Sequence, residues 1–423
     1  MIDEHNPHWE EDFFYNHFLY RNLYSELVKE LTSKQIISLI GLRRTGKTTL
    51  FYQLINHLIK DKQIQRKHIF YFSFDEEQPK LSDVINSYEL KMGKSIRSIH
   101  DKLYIFLDEI QKLKNWQNQI KYYYDFYPNL KFFVSGSASL FIKKHTQESL
   151  AGRIYEFTLS PLTFKEFLTL KGRGELIDKQ QLLPEEIKRE FQRYQKRQFI
   201  EMMNEDEEKM LKYTKSIIEQ IIYHDIPSIF PIEQEELLLK LLKIVASQPG
   251  MFSDYESLSR EFGIHRETLS NYFFYLEESF LTRKLYNYSR NAFTSEKKLK
   301  RIYLITPAFF SYLNPQIEES KLIENLIISH LNAKWFWRTP SKEEVDIILE
   351  KGNELIPVEV KYANIIVKKD FKNLLKFSRR FKIKEAIMVT KDTEGREILQ
   401  TGKNKFHVQL IPAWKFCLNY GEK

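Results

Sequence analysis

Gly41-Leu42-Arg43-Arg44-Thr45-Gly46-Lys47-Thr48 lies between an apolar run, Ile36–Ile40, and a helical pattern from about Lys47 to Lys60. No other feature restricts the fold of this chain so sharply. Two glycines, a lysine and a hydroxyl at this spacing match a loop whose backbone N–H groups wrap phosphate oxygens. Gly41 and Gly46 supply the freedom that such curling needs. A helix beginning near Lys47 turns its positive end toward the same point. Lys47 is expected on the β- and γ-phosphates, and the Thr48 hydroxyl on Mg²⁺. Gly41, Arg44, Thr45, Gly46, Lys47, Thr48 and Thr49 are therefore the expected contacts of ATP.

Three further apolar runs, Ile69–Phe74, Leu103–Leu107 and Lys131–Ser135, alternate with helical stretches. That alternation predicts an α/β fold with a doubly wound parallel sheet. Asp108 would emerge at the carboxyl end of the Leu103–Leu107 strand, beside the phosphate loop if the two strands are neighbours, and hold Mg²⁺. Glu109 is placed to polarise an attacking water. Ser135 or Ser137 ends the next strand, as a γ-phosphate sensor or as an ordinary capped turn. Arg153 is the candidate arginine finger, acting from a neighbouring subunit if the protein assembles; the alternative is a surface arginine after a glycine.

Charge and cysteine content narrow the setting. The chain has 423 residues, with 65 Lys+Arg against 57 Asp+Glu for a net charge of +8. This fits a nucleic-acid partner and equally a solvated lysine-rich surface. The single cysteine, Cys417, excludes an internal disulfide and any cysteine-based zinc module. A polar, acidic start and the lack of a membrane-length apolar run predict a cytoplasmic protein.

Five segments are expected. Residues 1–30 read as an aromatic helical lead-in, from Phe13, Phe14, Phe18, Leu19, Leu23 and Leu27. Residues 31–163 form the nucleotide-binding core. Residues 164–234 are helical and charged, with Glu185–Lys215 as a solvated helix face. Within 235–299, Ser253–Phe262, a Gly263-Ile264 turn and His265–Glu278 have helix-turn-helix spacing. Leu258, Phe262, Ile264, Leu269, Phe273 and Leu276 would pack that pair, leaving Arg266, Thr268, Ser270 and Asn271 outward for DNA. Leu281–Tyr288 would add a wing strand, with Arg283, Lys284 and Arg290 near phosphates. Such a module also serves protein partners.

In the last segment, 300–423, Lys351-Gly352-Asn353-Glu354 reads as a hairpin turn. Its register would set Asp346 opposite Glu359, close enough to share a metal, with Lys361 on the Glu359 face. A bulge at Pro357 would upset that register.

The phosphate loop, Leu107-Asp108-Glu109-Ile110-Gln111 with Trp116, Ser135-Gly136-Ser137, and Ala151-Gly152-Arg153 through Leu159-Ser160-Pro161-Leu162-Thr163-Phe164 resemble the prokaryotic AAA+ ATPases with a nuclease-like C-terminal domain. The resemblance spans roughly Leu31 to Tyr362. It implies a P-loop NTPase (AAA+) core with a helical lid, and homo-oligomeric assembly. Asp346, Glu359 and Lys361 resemble the PD-(D/E)XK phosphodiesterase site, and Glu324 matches its extra acidic position. The implied C-terminal fold is α/β and restriction-endonuclease-like, with carboxylates on Mg²⁺ and Lys361 assisting water. An idle version of that fold is the alternative, so a non-cleaving nucleotide switch stands beside a DNA-cutting enzyme.

Overall fold

The computed structural model describes residues 2–17, 19–137, 150–352, 354–401 and 404–421. Phe18 of the expected lead-in and Asn353 of the expected turn lie outside the described residues. The chain divides into two compact units. The first comprises residues 1–161 and 278–280, the second 162–277 and 281–423.

The first unit is built on β1 (Ile36–Ile40), β2 (Ile69–Ser73), β3 (Leu103–Asp108), β4 (Leu130–Gly136) and β5 (Ile154–Thr158). Their order is β2-β3-β4-β1-β5, and every pairing is parallel. Strands buried on both faces must be apolar almost throughout, as the IISLI and LYIFLD runs are. The helix Lys47–Lys60 buries Leu50, Phe51, Leu54 and Leu58 on one face of the sheet. Trp116 and Ile120 of Trp116–Phe126 help fill the other.

The lead-in is not the helix that its aromatic spacing predicts. Helical structure is confined to short pieces, including Tyr24–Lys29, while residues 13–17 and 19–20 are irregular. The side chains there meet the core one by one. Tyr15 stacks on Tyr52 with centroids 4.0 Å apart, whereas Leu19 is left exposed. Upstream, Asn6 acts as a strand substitute on the edge of β2. Its amide donates to the Tyr71 carbonyl at 2.9 Å and accepts from the Tyr71 N–H at 2.7 Å.

The second unit opens with the helices Phe164–Leu170, Pro184–Tyr194 and Glu207–Gln220. The charged Glu185–Lys215 stretch is not wholly solvated, because Ile187, Phe191 and Tyr194 are buried. Tyr255–Phe262 and Arg266–Glu278 follow around Gly263, whose φ of +66° makes the turn.

A nine-stranded sheet completes the unit: β6 (Met251–Phe252), β7 (Thr282–Asn287), β8 (Arg301–Leu304), β9 (Trp335–Arg338), β10 (Glu344–Lys351), β11 (Glu354–Lys361), β12 (Glu385–Thr390), β13 (Gly395–Thr401) and β14 (Asn404–Pro412). The expected wing strand, β7, is no free hairpin: it pairs with β8 antiparallel and with β9 in parallel. The β10–β11 ladder keeps the expected offset from Lys351 opposite Glu354 to Ile347 opposite Val358, with Pro357 facing Ile348, and ends one pair short of Asp346 and Glu359. The irregularity falls instead between β10 and β9, from Val345 to Ile348. Asp346 lies inside it, and its carboxylate accepts the Val360 N–H at 2.9 Å.

Candidate functional site

β1 and β3 are not neighbours; β4 lies between them. The expected meeting of loop and acid occurs all the same, because the carboxyl ends of these strands converge. The Thr48 hydroxyl donates to Asp108 Oδ2 at 2.6 Å. Ser135, at the end of the intervening strand, donates to Asp108 Oδ1. Tyr71 of β2, which sequence reasoning missed, reaches Asp108 Oδ2 at 3.1 Å. A hydroxyl and a carboxylate held this close offer the hard oxygen ligands that Mg²⁺ takes, so these residues fit the ion. When bound it would neutralise charge on the terminal phosphates.

The loop itself is tightly specified. A side chain at Gly41 would meet the Leu159 carbonyl at 2.4 Å, and φ is +152° there and +100° at Gly46. Arg44 also takes a positive φ, +64°. The Lys47 ammonium is folded back on the loop carbonyls of Gly41 and Leu42, at 3.0 and 3.1 Å. Thr45 is buried, its hydroxyl donating to the Leu42 carbonyl at 2.8 Å. Arg21, a second residue missed in sequence, is buried and donates to the carbonyls of Thr45 and Ser160 at 2.8 and 2.7 Å. It braces the loop from outside, where no local pattern marks it. Thr49 lies in the first helical turn and is half-buried.

Glu109 follows Asp108 with φ of +52°, which turns it away from the strand. Burial pushes its carboxyl up from the ordinary range, while nearby Lys47 opposes that rise. Gln111 donates to Glu109 Oε2 at 2.5 Å and to Ser137 Oγ at 3.1 Å.

Arg153 is placed elsewhere. Its carbonyl accepts the Ile36 N–H at 2.7 Å, at the amino end of β1, and its guanidinium pairs with Asp125 at 3.0 Å. Five residues of strand at ~3.3 Å each separate that end from the phosphate loop. Arg153 therefore sits at the opposite end of β1 from the phosphate loop of its own chain.

In the second unit, Arg266 and Asn271 are exposed on their helix, with Thr268 and Ser270 half-buried. The expected wing cations are engaged instead: Arg283 donates to Asn332, and Lys284 pairs with Glu277 at 2.8 Å. Arg290 remains exposed.

The C-terminal acids do come together, with a cation among them. Asn325 fixes the helix Glu319–His330 by exchanging two hydrogen bonds with the Leu304 backbone, at 3.1 and 3.0 Å. This brings Glu324 to Arg301 at 3.0 Å. The same guanidinium reaches Glu344 at 2.9 Å and Asp346 at 3.5 Å, and donates to the Gly250 carbonyl at 3.1 Å. Tyr303 donates to Glu324 at 2.6 Å. Burial pushes Asp346 up to about 7, with Glu324 adding to the rise, and raises Glu359 as well. Glu359 Oε2 has no hydrogen-bond partner among the described residues. Lys361 turns to Asp370 at 3.2 Å. Among the described residues, no group of three or more His, Cys, Asp or Glu side chains could hold a metal ion. In this arrangement the Arg301 guanidinium stands among Glu324, Glu344 and Asp346, and Lys361 pairs with Asp370. Arg301, Tyr303 and Glu344 had no signal in sequence, since their meeting depends on long-range pairing.

Comparison with known proteins adds to this geometry. Residues 33–168 match a family described as an AAA domain. The stretch that carries the parallel sheet and the phosphate loop is thus similar to AAA domains. Residues 201–320 and 319–416 match two domains of unknown function, DUF8612 and DUF4143. The chain is similar to two Methanocaldococcus jannaschii proteins, uncharacterized proteins MJ1544 and MJ1637. Identity to the first is 27% over 412 residues, covering 92% of this chain and 90% of the relative. Identity to the second is 28% over 397 residues, covering 85% and 81%. Among solved structures, the Aeropyrum pernix ORC1 protein in complex with DNA is 13% identical with a TM-score of 0.31, covering 73% of this chain and 96% of that one. Cdc6p from Pyrobaculum aerophilum is 14% identical with a TM-score of 0.29, covering 71% and 93%. No helix among the described residues is long and apolar enough to cross a membrane.

Proposed function

We propose that this chain binds ATP with Mg²⁺ and hydrolyses it, and that the nucleotide cycle governs engagement of DNA without cutting it. The reading rests on one observation: Thr48, from the first turn of the helix after the loop, and Ser135, from the end of β4, converge on the Asp108 carboxylate beside a loop closed by Lys47. Lys47 would exchange its two loop carbonyls for phosphate oxygens, a stronger charge-assisted contact. Glu109 would take the proton of the attacking water. The test is nucleotide binding and turnover side by side. Lys47→Ala is expected to lose ATP binding, and Glu109→Gln to keep binding while turnover drops at least a hundredfold. Wild-type turnover in both variants contradicts the assignment.

DNA engagement is supported by the net charge of +8 and the exposed Arg266 and Asn271. A phosphate-dominated contact predicts affinity that falls steeply with salt. Binding that is flat between low and high salt would turn the reading toward a protein partner. Arg153, at the far end of the sheet from its own phosphate loop, would act only on a neighbouring subunit's nucleotide in a homo-oligomer.

The second reading couples ATP to metal-dependent phosphodiester cleavage. The spacing of Asp346, Glu359 and Lys361 favours it; Arg301 among the carboxylates weighs against it. Nicking of plasmid DNA in Mn²⁺ that disappears in Asp346→Ala would restore it.

A further inference from the structure

Gln111 stands three residues beyond the end-of-strand aspartate, and its side chain links Glu109 to Ser137. Its amide orientation follows from its partners. A carboxylate accepts only, so the NH₂ group must face Glu109, and the same group also reaches the Ser137 hydroxyl. The remaining oxygen, Oε1, is buried.

We propose that Gln111 is a positioning residue for ATP hydrolysis, its NH₂ group holding the Glu109 carboxylate and the Ser137 hydroxyl in fixed register. In the step, the water oxygen forms a bond to the γ-phosphorus as the bond to the β–γ bridging oxygen breaks. The leaving diphosphate takes that electron pair, and the water proton passes to Glu109. The second O–H stays on the transferred phosphate. Ser137 Oγ, accepting from the same amide, keeps its own proton to donate to a γ-phosphate oxygen, so one side chain registers phosphate and base together.

The inference rests on the ATPase reading above, and the experiment separates the two. ATP affinity and single-turnover rates are measured for wild type, Glu109→Gln, Gln111→Met, Gln111→Glu and the Glu109→Gln/Gln111→Met double variant, with thermal melts to confirm folding. Gln111→Met keeps the length of the side chain and removes both hydrogen-bonding functions. It is expected to bind ATP within about threefold of wild type and to lose 10- to 100-fold in turnover. Gln111→Glu sets a second carboxylate against Glu109 and should lose at least as much. In the Glu109→Gln background, Gln111→Met should cost less than threefold further, because a residue that acts through the base has nothing left to position. Wild-type turnover in folded Gln111→Met overturns the inference while the ATPase reading stands. Faster turnover also overturns it, and would make the amide a latch. Independent, multiplying losses in the double variant overturn it too. Wild-type protein that binds ATP and never turns it over removes the ATPase reading, and the inference with it.

Discussion

Gly41 and His8 show how single residues set the limits of the first unit. A methyl group on Gly41 has nowhere to go, since the Leu159 carbonyl is backbone at 2.4 Å and φ is +152°. Gly41→Ala is expected to lower the melting temperature by several degrees and to impair ATP binding; a melt within one degree of wild type would contradict the geometry. His8 is fully buried, with Nε2 on the Ile69 carbonyl and Nδ1 on the Tyr15 hydroxyl, both at 3.1 Å. Nε2 must then carry the hydrogen, and Nδ1 accepts. Burial lowers its pKa from 6.5 to about 4. Between those values the unfolded chain binds more protons than the folded one, so stability is lost as pH falls through that window. The loss is on the order of 3 kcal/mol. His8→Gln preserves a donor and an acceptor without titrating, so its urea midpoint should fall less than that of wild type between pH 7 and 5. Parallel slopes for the two proteins would refute this.

At the level of elements, the strands of the first unit were legible because a doubly covered parallel sheet needs continuous apolar runs, and IISLI, IFYFS and LYIFLD have no competing reading. The phosphate loop was legible for the same local reason. The lead-in was misread because aromatic spacing near 3.6 does not distinguish a helix from an irregular segment whose rings find separate slots, as Tyr15 does on Tyr52. The segment closes the open edge of β2 through Asn6. Asn6→Ala would leave the Tyr71 N–H and carbonyl unpaired at a buried edge, and should cost ~1–3 kcal/mol in urea denaturation. In the second unit, the β10–β11 turn was correctly placed from Gly352, but the irregularity that carries Asp346 away from simple pairing arises against β9, whose partnership no local spacing encodes.

For the whole molecule, the decisive unread feature is long-range charge pairing. Glu324, Glu344 and Asp346 come from a helix and a strand distant from Arg301 in sequence, and only the folded sheet assembles them. Removing that guanidinium strands buried carboxylates, so Arg301→Met is expected to destabilise the protein by ~3–5 kcal/mol. Asp346→Ala and Glu359→Ala should leave ATP turnover and DNA affinity within twofold of wild type; a larger fall in either would tie this cluster to the nucleotide cycle.

The pairing of β7 with both β8 and β9 has a practical outcome for anyone dissecting the protein. This strand is shared backbone for the helix pair before it and the sheet after it. Cutting near residue 299 would strip β7 of two ladders at once and bare raw edges on both fragments. Neither piece should fold and stay dispersed when made alone, whereas co-expressed halves would have reason to find each other.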